Sequence, residues 1–240
     1  MAYELYYWPT IQGRGEFVRL ALEEAGADYV DVARGSEQDG MGVPALMRVM
    51  QSESAKHPPF APPFLKAREA LIAQTANILA YLGPRLNLVP DDEPGRIWVH
   101  QLQLTVTDFV KEAHDTHHPI ASSLYYEDQK PEALRRSADF LTVRLPKYFG
   151  YFESVLKRNG GQWMVGGAIS HVDLSMFQIV AGMRYAFPKA MAGQERAYPG
   201  LVALHDRIAV RPRIKAYLQS PRRIPFNEKG IFRHYPELDR

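Results

Sequence analysis

The chain predicts two domains, a small α/β domain built on four strands followed by an all-helical domain. Three observations carry this. Residues 3–8, Tyr-Glu-Leu-Tyr-Tyr-Trp, alternate in the manner of a strand and are followed by a helical pattern and a second apolar strand, the order of a parallel crossover. Residues 64–82 add two short apolar runs and a helix. Beyond a turn-rich stretch the apolar residues recur only at helical spacing. The boundaries read as 1–83 for the first domain, 84–95 for a linker, 96–225 for the helical domain and 226–240 for a C-terminal tail.

Each element has a local reason. Tyr3, Leu5 and Tyr7 share one face of the first strand while Glu4, Tyr6 and Trp8 share the other, as a period of two requires. Pro9 breaks the strand, and a helix over Gly15 to Ala25 places Phe17, Leu20, Ala21 and Ala25 on one side. Gly26 stands where a left-handed cap belongs. Tyr29 to Val32 supplies the second strand, and residues 34–57 read as irregular or weakly helical. His57-Pro-Pro-Phe-Ala-Pro-Pro-Phe64 is a shaped turn, because its prolines forbid both helix and central strand. Phe64 to Ala67 and Ala70 to Ala73 flank Arg68-Glu69 as a hairpin, and a helix runs from Gln74-Thr75 to about Leu82.

The segment Gly83-Pro-Arg-Leu-Asn-Leu-Val-Pro-Asp-Asp-Glu-Pro-Gly95 is dense in turn formers and marks the linker. A long helix is expected over Arg96 to His114 and another over Pro131 to Arg158, bent at Pro146. Ser170-His-Val-Asp173 has the form of a capping box opening a buried helix. Leu201 to Val210 and Arg213 to Leu218 complete the pattern.

Composition narrows the function. Lys and Arg number 29 against 27 Asp and Glu, scattered along the chain, so nucleic acid is not an expected partner. No apolar run is long enough to span a membrane and the N-terminus lacks the form of a signal peptide, which makes a cytoplasmic protein the expectation. There is no cysteine, which excludes a disulfide framework, a thiolate metal site and a redox pair. A phenol at the mouth of the first strand would therefore act on a thiol brought in by a ligand, and glutathione is the hypothesis this suggests.

Tyr7-Trp8 at the end of the first strand, the spacing from Pro63 to Gln74-Thr75 and the run Gly-Gly-Ala-Ile-Ser-His-Val-Asp173 together resemble the cytosolic glutathione transferases, in particular their tyrosine-type alpha, mu, pi and sigma classes. The resemblance spans nearly the whole chain. It implies a thioredoxin-like first domain that binds glutathione as co-substrate, with Tyr7 as the catalytic residue donating a hydrogen bond to the thiol sulfur. It further implies that Trp8, Arg14, Pro62, Gln74 and Thr75 bind glutathione, and that Asp108 reaches the γ-glutamyl amine held by a neighbouring subunit. A homodimer follows, with Phe60 as the aromatic key that enters the partner. No metal is implied.

The chain departs from the family pattern in places. One extra residue separates Trp8 from Arg14, and Phe60 is off the usual register by one. If Pro63 is the cis-proline, the residue before it is Pro62, which has no N–H for the glutathione cysteinyl unit; alternatively the cis bond lies at Ala61-Pro62. The Trp and Lys contacts usual between the second strand and the proline turn have no clear match, and Arg48 and Lys56 are the candidates.

Other motifs read less sharply. Tyr6 should face away from Tyr7. Gly13-Arg14-Gly15 fails as a dinucleotide loop, since Val18 occupies the third glycine position. His114, His117 and His118 have the i, i+3, i+4 spacing that could place imidazoles on one helical face for a metal, yet no carboxylate motif accompanies them and Pro119 ends the helix, so a solvated helix end or a wall of the electrophile pocket is the stronger reading. That pocket is expected between residues 8–12, 111–118 and 226–232. The resulting reading is a glutathione transferase that uses the thiolate to attack an apolar electrophile. The alternatives are a glutathione-dependent isomerase or peroxidase on the same thiolate, or a noncatalytic, crystallin-like binding protein.

Overall fold

A computed structural model describes residues 2–239. Its first part holds β1 (Tyr3–Tyr6), α1 (Gly15–Ala25), β2 (Tyr29–Asp31), α2 (Gly42–Met50), β3 (Phe64–Ala67), β4 (Ala70–Ala73) and α3 (Thr75–Leu82). The sheet order is β2-β1-β3-β4, with β1 parallel to β2 and β3 antiparallel to both its neighbours. Leu5 pairs with Leu65 and Tyr6 with Phe64, so the pleat sends Leu5 and Leu65 into one core with Val18 and Leu22 of α1 and Ile78 and Leu82 of α3. Tyr6 and Phe64 go to the opposite face, where they stack at 4.8 Å and meet Ala45 and Leu46 of α2.

Helix α2 lies inside the stretch expected to be irregular or weakly helical. Its nine residues bury Gly42, Ala45 and Leu46 against the sheet, and its N-cap, Met41, offers no side-chain bond. A helix so short and uncapped draws its stability from packing, which a local pattern does not display. Strand β1 ends at Tyr6, two residues before the expected end, because Tyr7 and Trp8 leave the ladder for a loop.

The second part is helical: α4 (Glu93–Asp115), α5 (Lys130–Asp139), α6 (Leu145–Arg158), α7 (His171–Ala186), α8 (Pro188–Gln194), α9 (Pro199–Ala209) and α10 (Pro212–Leu218). Helix α4 starts inside the stretch expected to be linker: Asp92 caps it by accepting from the Gly95 N–H at 2.7 Å, and Pro94 sits in its first turn. The single helix expected over 131–158 is broken by a π-helical turn at Phe140–Arg144, where the Leu145 N–H reaches back to the Phe140 carbonyl. Pro146 has no N–H to give and its ring opposes the carbonyl four residues back, so widening the preceding turn accommodates it. Helix α7 is buried almost throughout and opens with the expected capping box, in which Asp173 accepts from the Ser170 N–H and hydroxyl, both at 2.7 Å, and also from the Met164 N–H. The far end of α4 is pinned by Glu112, which accepts from Arg136, Arg144 and Tyr148 and is held down to about 2 by those donors.

The two parts are joined by a buried carboxylate. Glu16, fully buried on α1, accepts from Tyr217 on α10 at 2.7 Å and from Arg223 beyond it, and lies 3.4 Å from the fully buried Arg19. Arg223 also donates to the Gln178 side chain on α7, which donates in turn to Gln12 at 2.7 Å. Gln12 closes the ring through the Ile224 carbonyl.

Removing one partner of such a group leaves the other charges buried and uncompensated, at a cost of about 3–5 kcal/mol. Glu16→Ala is expected to lose stability on that scale, read from urea unfolding, whereas Asp91→Ala on an exposed turn should change little.

Stability should also fall with acid in a defined window. Burial pushes His117 down to about 2, His171 down to about 3 and His114 down to about 4. The unfolded chain protonates these groups near pH 6.5, so the stability they contribute is complete above that value and falls with pH below it, by about 1.36 kcal/mol per unit per residue. Asp173, raised to about 6 by burial, works in the opposite sense between about pH 6 and 4. Unfolding midpoints measured from pH 7 to 4.5 should decline with the histidine sign.

Candidate functional site

Tyr7 follows β1 and is only 4% exposed. Its ring is clasped by the loop leading into α1. A Cβ on Gly15 would stand 2.6 Å from ring carbons, and one on Gly13, whose φ is +46°, would stand 2.1 Å from the phenolic oxygen. Glycine at both positions is thus what lets the loop close over the ring. The Arg14 backbone N–H donates to the Tyr7 hydroxyl at 2.9 Å. With that lone pair engaged, the phenol's own hydrogen is left to donate elsewhere. Burial raises the phenol pKa, while the Arg14 N–H and the charges of Arg14 and Arg19 act against it, so the group stays protonated at neutral pH.

Beside this loop lies a cleft of about 290 Å³ lined by Arg14, Phe17, Gln74, Thr75, His100 and Gln103 among others. The N-terminus of α3 forms one wall. Gln74 carries a positive φ of 69°, unusual for a residue with a Cβ, and Thr75 donates through Oγ1 to the Arg14 carbonyl at 3.4 Å. The first N–H groups of a helix have no partners within it, and with the helix dipole they favour an anion. His100 Nδ1 adds a buried ring nitrogen with no hydrogen-bond partner. A larger, more open cavity of about 550 Å³ lies on the α2 side, lined by Tyr6, Met41 and Arg48, away from Tyr7.

The residues singled out from the sequence fall into three groups. Arg14, Gln74 and Thr75 line one cleft, and Tyr7 is bonded to its edge. Trp8 is half-buried and packs with Tyr6 and Phe64 on the opposite face of the sheet. Asp108 is exposed on α4 and is not among the residues lining the cleft. Tyr6 faces away from Tyr7 and donates to Glu4 at 2.6 Å. The cis bond is Pro62-Pro63, so Pro62 precedes it and offers no N–H. Arg48 is turned to the Gly40 carbonyl at 2.8 Å, and Lys56 is exposed.

The tail touches both other segments that the sequence analysis grouped around an electrophile. Asn227 donates to the Thr10 carbonyl at 2.9 Å, Gln12 to that of Ile224, and His117 Nε2 to that of Ile231 at 2.8 Å. His117 and His118 are buried, which corrects the reading of a solvated helix end. Sequence reasoning missed Gln178, His100 and Gln103, and placed Gln12 only as the end of a segment expected to border an electrophile. Gln178 and Gln103 are polar residues in an otherwise helical pattern, and only their distant partners reveal their place.

The fold is a thioredoxin-like sheet domain carrying a cleft at the start of its third helix, followed by an all-helical domain. Residues 114–221 match the family model for the glutathione S-transferase C-terminal domain. A glutathione S-transferase of Plasmodium falciparum is 25% identical over 221 residues, covering 89% of this chain and 93% of the relative. Glutathione S-transferase alpha I of Oryctolagus cuniculus is 26% identical over 223 residues, covering 92% and 90%. Among solved structures, prostaglandin synthase D of Nilaparvata lugens superposes with a TM-score of 0.70 over 94% of this chain and 100% of its own, at 21% identity. Over most of its length the chain is thus similar to glutathione S-transferases.

Gly13→Ala would place a methyl against the phenolic oxygen in an unfavourable backbone conformation. It should displace Tyr7 and change the near-UV circular dichroism, with a loss of stability of about 1–3 kcal/mol; Gly40→Ala, also at positive φ but with nothing within 4 Å, serves as the control for backbone strain alone.

Proposed function

We propose that this protein is a glutathione transferase in which Tyr7 stabilises the glutathione thiolate for attack on an apolar electrophile. The observation that carries the reading is the Arg14 N–H donating to the Tyr7 hydroxyl at 2.9 Å, which leaves the phenol hydrogen available to sulfur. A free thiol with a pKa of about 8.5 is only a few per cent ionised at neutral pH, and the thiolate is the nucleophile. Lowering that pKa by roughly two units needs about 2.7 kcal/mol of preferential stabilisation, at about 1.36 per unit. One charge-assisted hydrogen bond in a water-poor site, with Arg14 nearby, supplies that order of energy.

In this reading the γ-glutamyl carboxylate lies at the N-terminus of α3, on the backbone of Gln74 and Thr75 and the Thr75 hydroxyl, with Arg14 as the nearby cation. Trp8 and Pro62 border the tripeptide, Pro62 through its carbonyl alone. Asp108, exposed and outside its own chain's cleft, would act on the γ-glutamyl amine bound to the neighbouring subunit of a homodimer. Phe60, 89% exposed, is the apolar side chain that such a dimer would cover. The missing N–H at Pro62 weakens the hold on the cysteinyl unit and favours a second reading, a binding protein that keeps the fold without the chemistry.

Titrating the thiolate absorbance of bound glutathione against pH separates the two. A depressed pKa that returns toward the free value in Tyr7→Phe, with turnover lowered by about ten- to a thousandfold and little change in glutathione affinity, is the outcome expected of the transferase. A bound thiol with an unshifted pKa would instead identify the noncatalytic protein. Sedimentation bears on the dimer: a monomer would remove the roles given to Asp108 and Phe60.

A further inference from the structure

Three imidazoles converge at the end of α4. His114 lies in its last turn, and Thr116, whose hydroxyl donates to the Ala113 carbonyl at 2.7 Å, tightens the chain there. The N–H groups of His117 and His118 both reach back to the His114 carbonyl, at 3.3 Å. The i, i+3, i+4 spacing is thereby carried past the end of the helix. The ring centroids form a nearly equilateral triangle with sides of 5.0, 5.2 and 4.8 Å. One ring nitrogen from each residue lies within 4.8 Å of the others.

The rings are aimed from outside the triangle. His117 donates its Nε2 hydrogen to the Ile231 carbonyl at 2.8 Å, which fixes the tautomer and leaves Nδ1 bare. That bare nitrogen stands 2.5 Å from His118 Nδ1. Asp115 Oδ1 lies 3.5 Å from His114 Nδ1, leaving Nε2 of that ring for a ligand. A backbone carbonyl or a carboxylate on the far nitrogen of an imidazole is the outer partner that metal-ligating histidines use to set orientation and basicity.

We propose that His114, His117 and His118 bind a divalent transition-metal ion of the zinc class, with a fourth coordination position left open. A tetrahedral ion with metal–nitrogen distances of about 2.0–2.1 Å needs nitrogens about 3.3 Å apart. The present separations bracket that value, so turning the rings is enough to reach it. Imidazole ligands without a thiolate select zinc, copper, nickel or cobalt over magnesium and calcium, which prefer oxygen. His117 and His118 are buried, while the His114 side chain keeps 19% of its surface, giving an ion a route in. The surrounding charges are mixed: Asp115 and Glu127 favour a cation there, and Arg14 and Arg233 act against it. The affinity must therefore come from the ligand bonds. The site stands independently of the thiol chemistry.

The test uses the full chain, stripped with a chelator and dialysed against zinc, cobalt or magnesium. The expected result is one zinc or cobalt ion per chain by elemental analysis, a cobalt visible spectrum of tetrahedral nitrogen coordination, and a zinc-dependent rise in melting temperature that magnesium does not produce. His114→Ala and His118→Ala should each weaken binding by more than the roughly 10–100-fold lost when an outer partner is removed, with apo melting temperatures near that of the parent. His117 is left intact because it also ties down the tail. Absence of stoichiometric zinc at micromolar free metal, or a cobalt spectrum that persists in the His114→Ala/His118→Ala double variant, would overturn the proposal. Should the variants not fold, the wild-type stoichiometry and cobalt spectrum decide it alone.

Discussion

The structure depends first on the buried Glu16 carboxylate. A carboxylate out of water is costly unless its oxygens are met by donors, and here the donors come from three places: Arg19 one turn along the same helix, Tyr217 on the last helix, and Arg223 in the segment leading to the tail. The requirement to satisfy that one group holds the first helix of the sheet domain against the end of the helical domain. Arg19 extends the network to Asp31 at the end of β2.

From that anchor the loop between β1 and α1 inherits its shape. Gln12 is held by Gln178 and Ile224, and the next residue, Gly13, turns through a conformation that side chains resist. This delivers the Arg14 N–H to the Tyr7 oxygen and Arg14 itself to the cleft. The placement of the Tyr7 hydroxyl is therefore a consequence of contacts made by residues far along the chain, Gln178 and Ile224. The tail has the same role on the other side, where Ile231 holds His117 and Asn227 holds Thr10. Several of the polar contacts that shape this loop close long stretches of chain.

Local pattern was a good guide where local forces decide. The glycine after α1, the proline turn before β3 and the Ser170–Asp173 box each correspond to a backbone requirement met within a few residues and appear where their patterns stand, and the alternation over β1 holds as far as Tyr6. The pattern failed where packing or a neighbour decides. Helix α2 has no cap and little length, and it exists because it covers Tyr6 and Phe64. The π-turn at Phe140–Arg144 answers a proline whose accommodation depends on how α5 and α6 lie on the core. His117 and His118, two polar residues past a helix end, are ordinarily solvated, and their burial follows from a tail that the sequence marks only as irregular.

The sequence by itself determined the order of elements, the division into a sheet part and a helical part, and a phenol at the end of the first strand followed by a glycine-rich loop. Those follow from periodicity, capping and backbone geometry, which act over a few residues. Tertiary structure alone decided that Arg223 meets Glu16 across 207 residues, that Tyr7 is closed over by its loop, and that three imidazoles share one space beneath Ile231. A buried polar group must find partners wherever the fold brings them, and that pairing is settled by the packing of whole elements, which no short window of sequence contains.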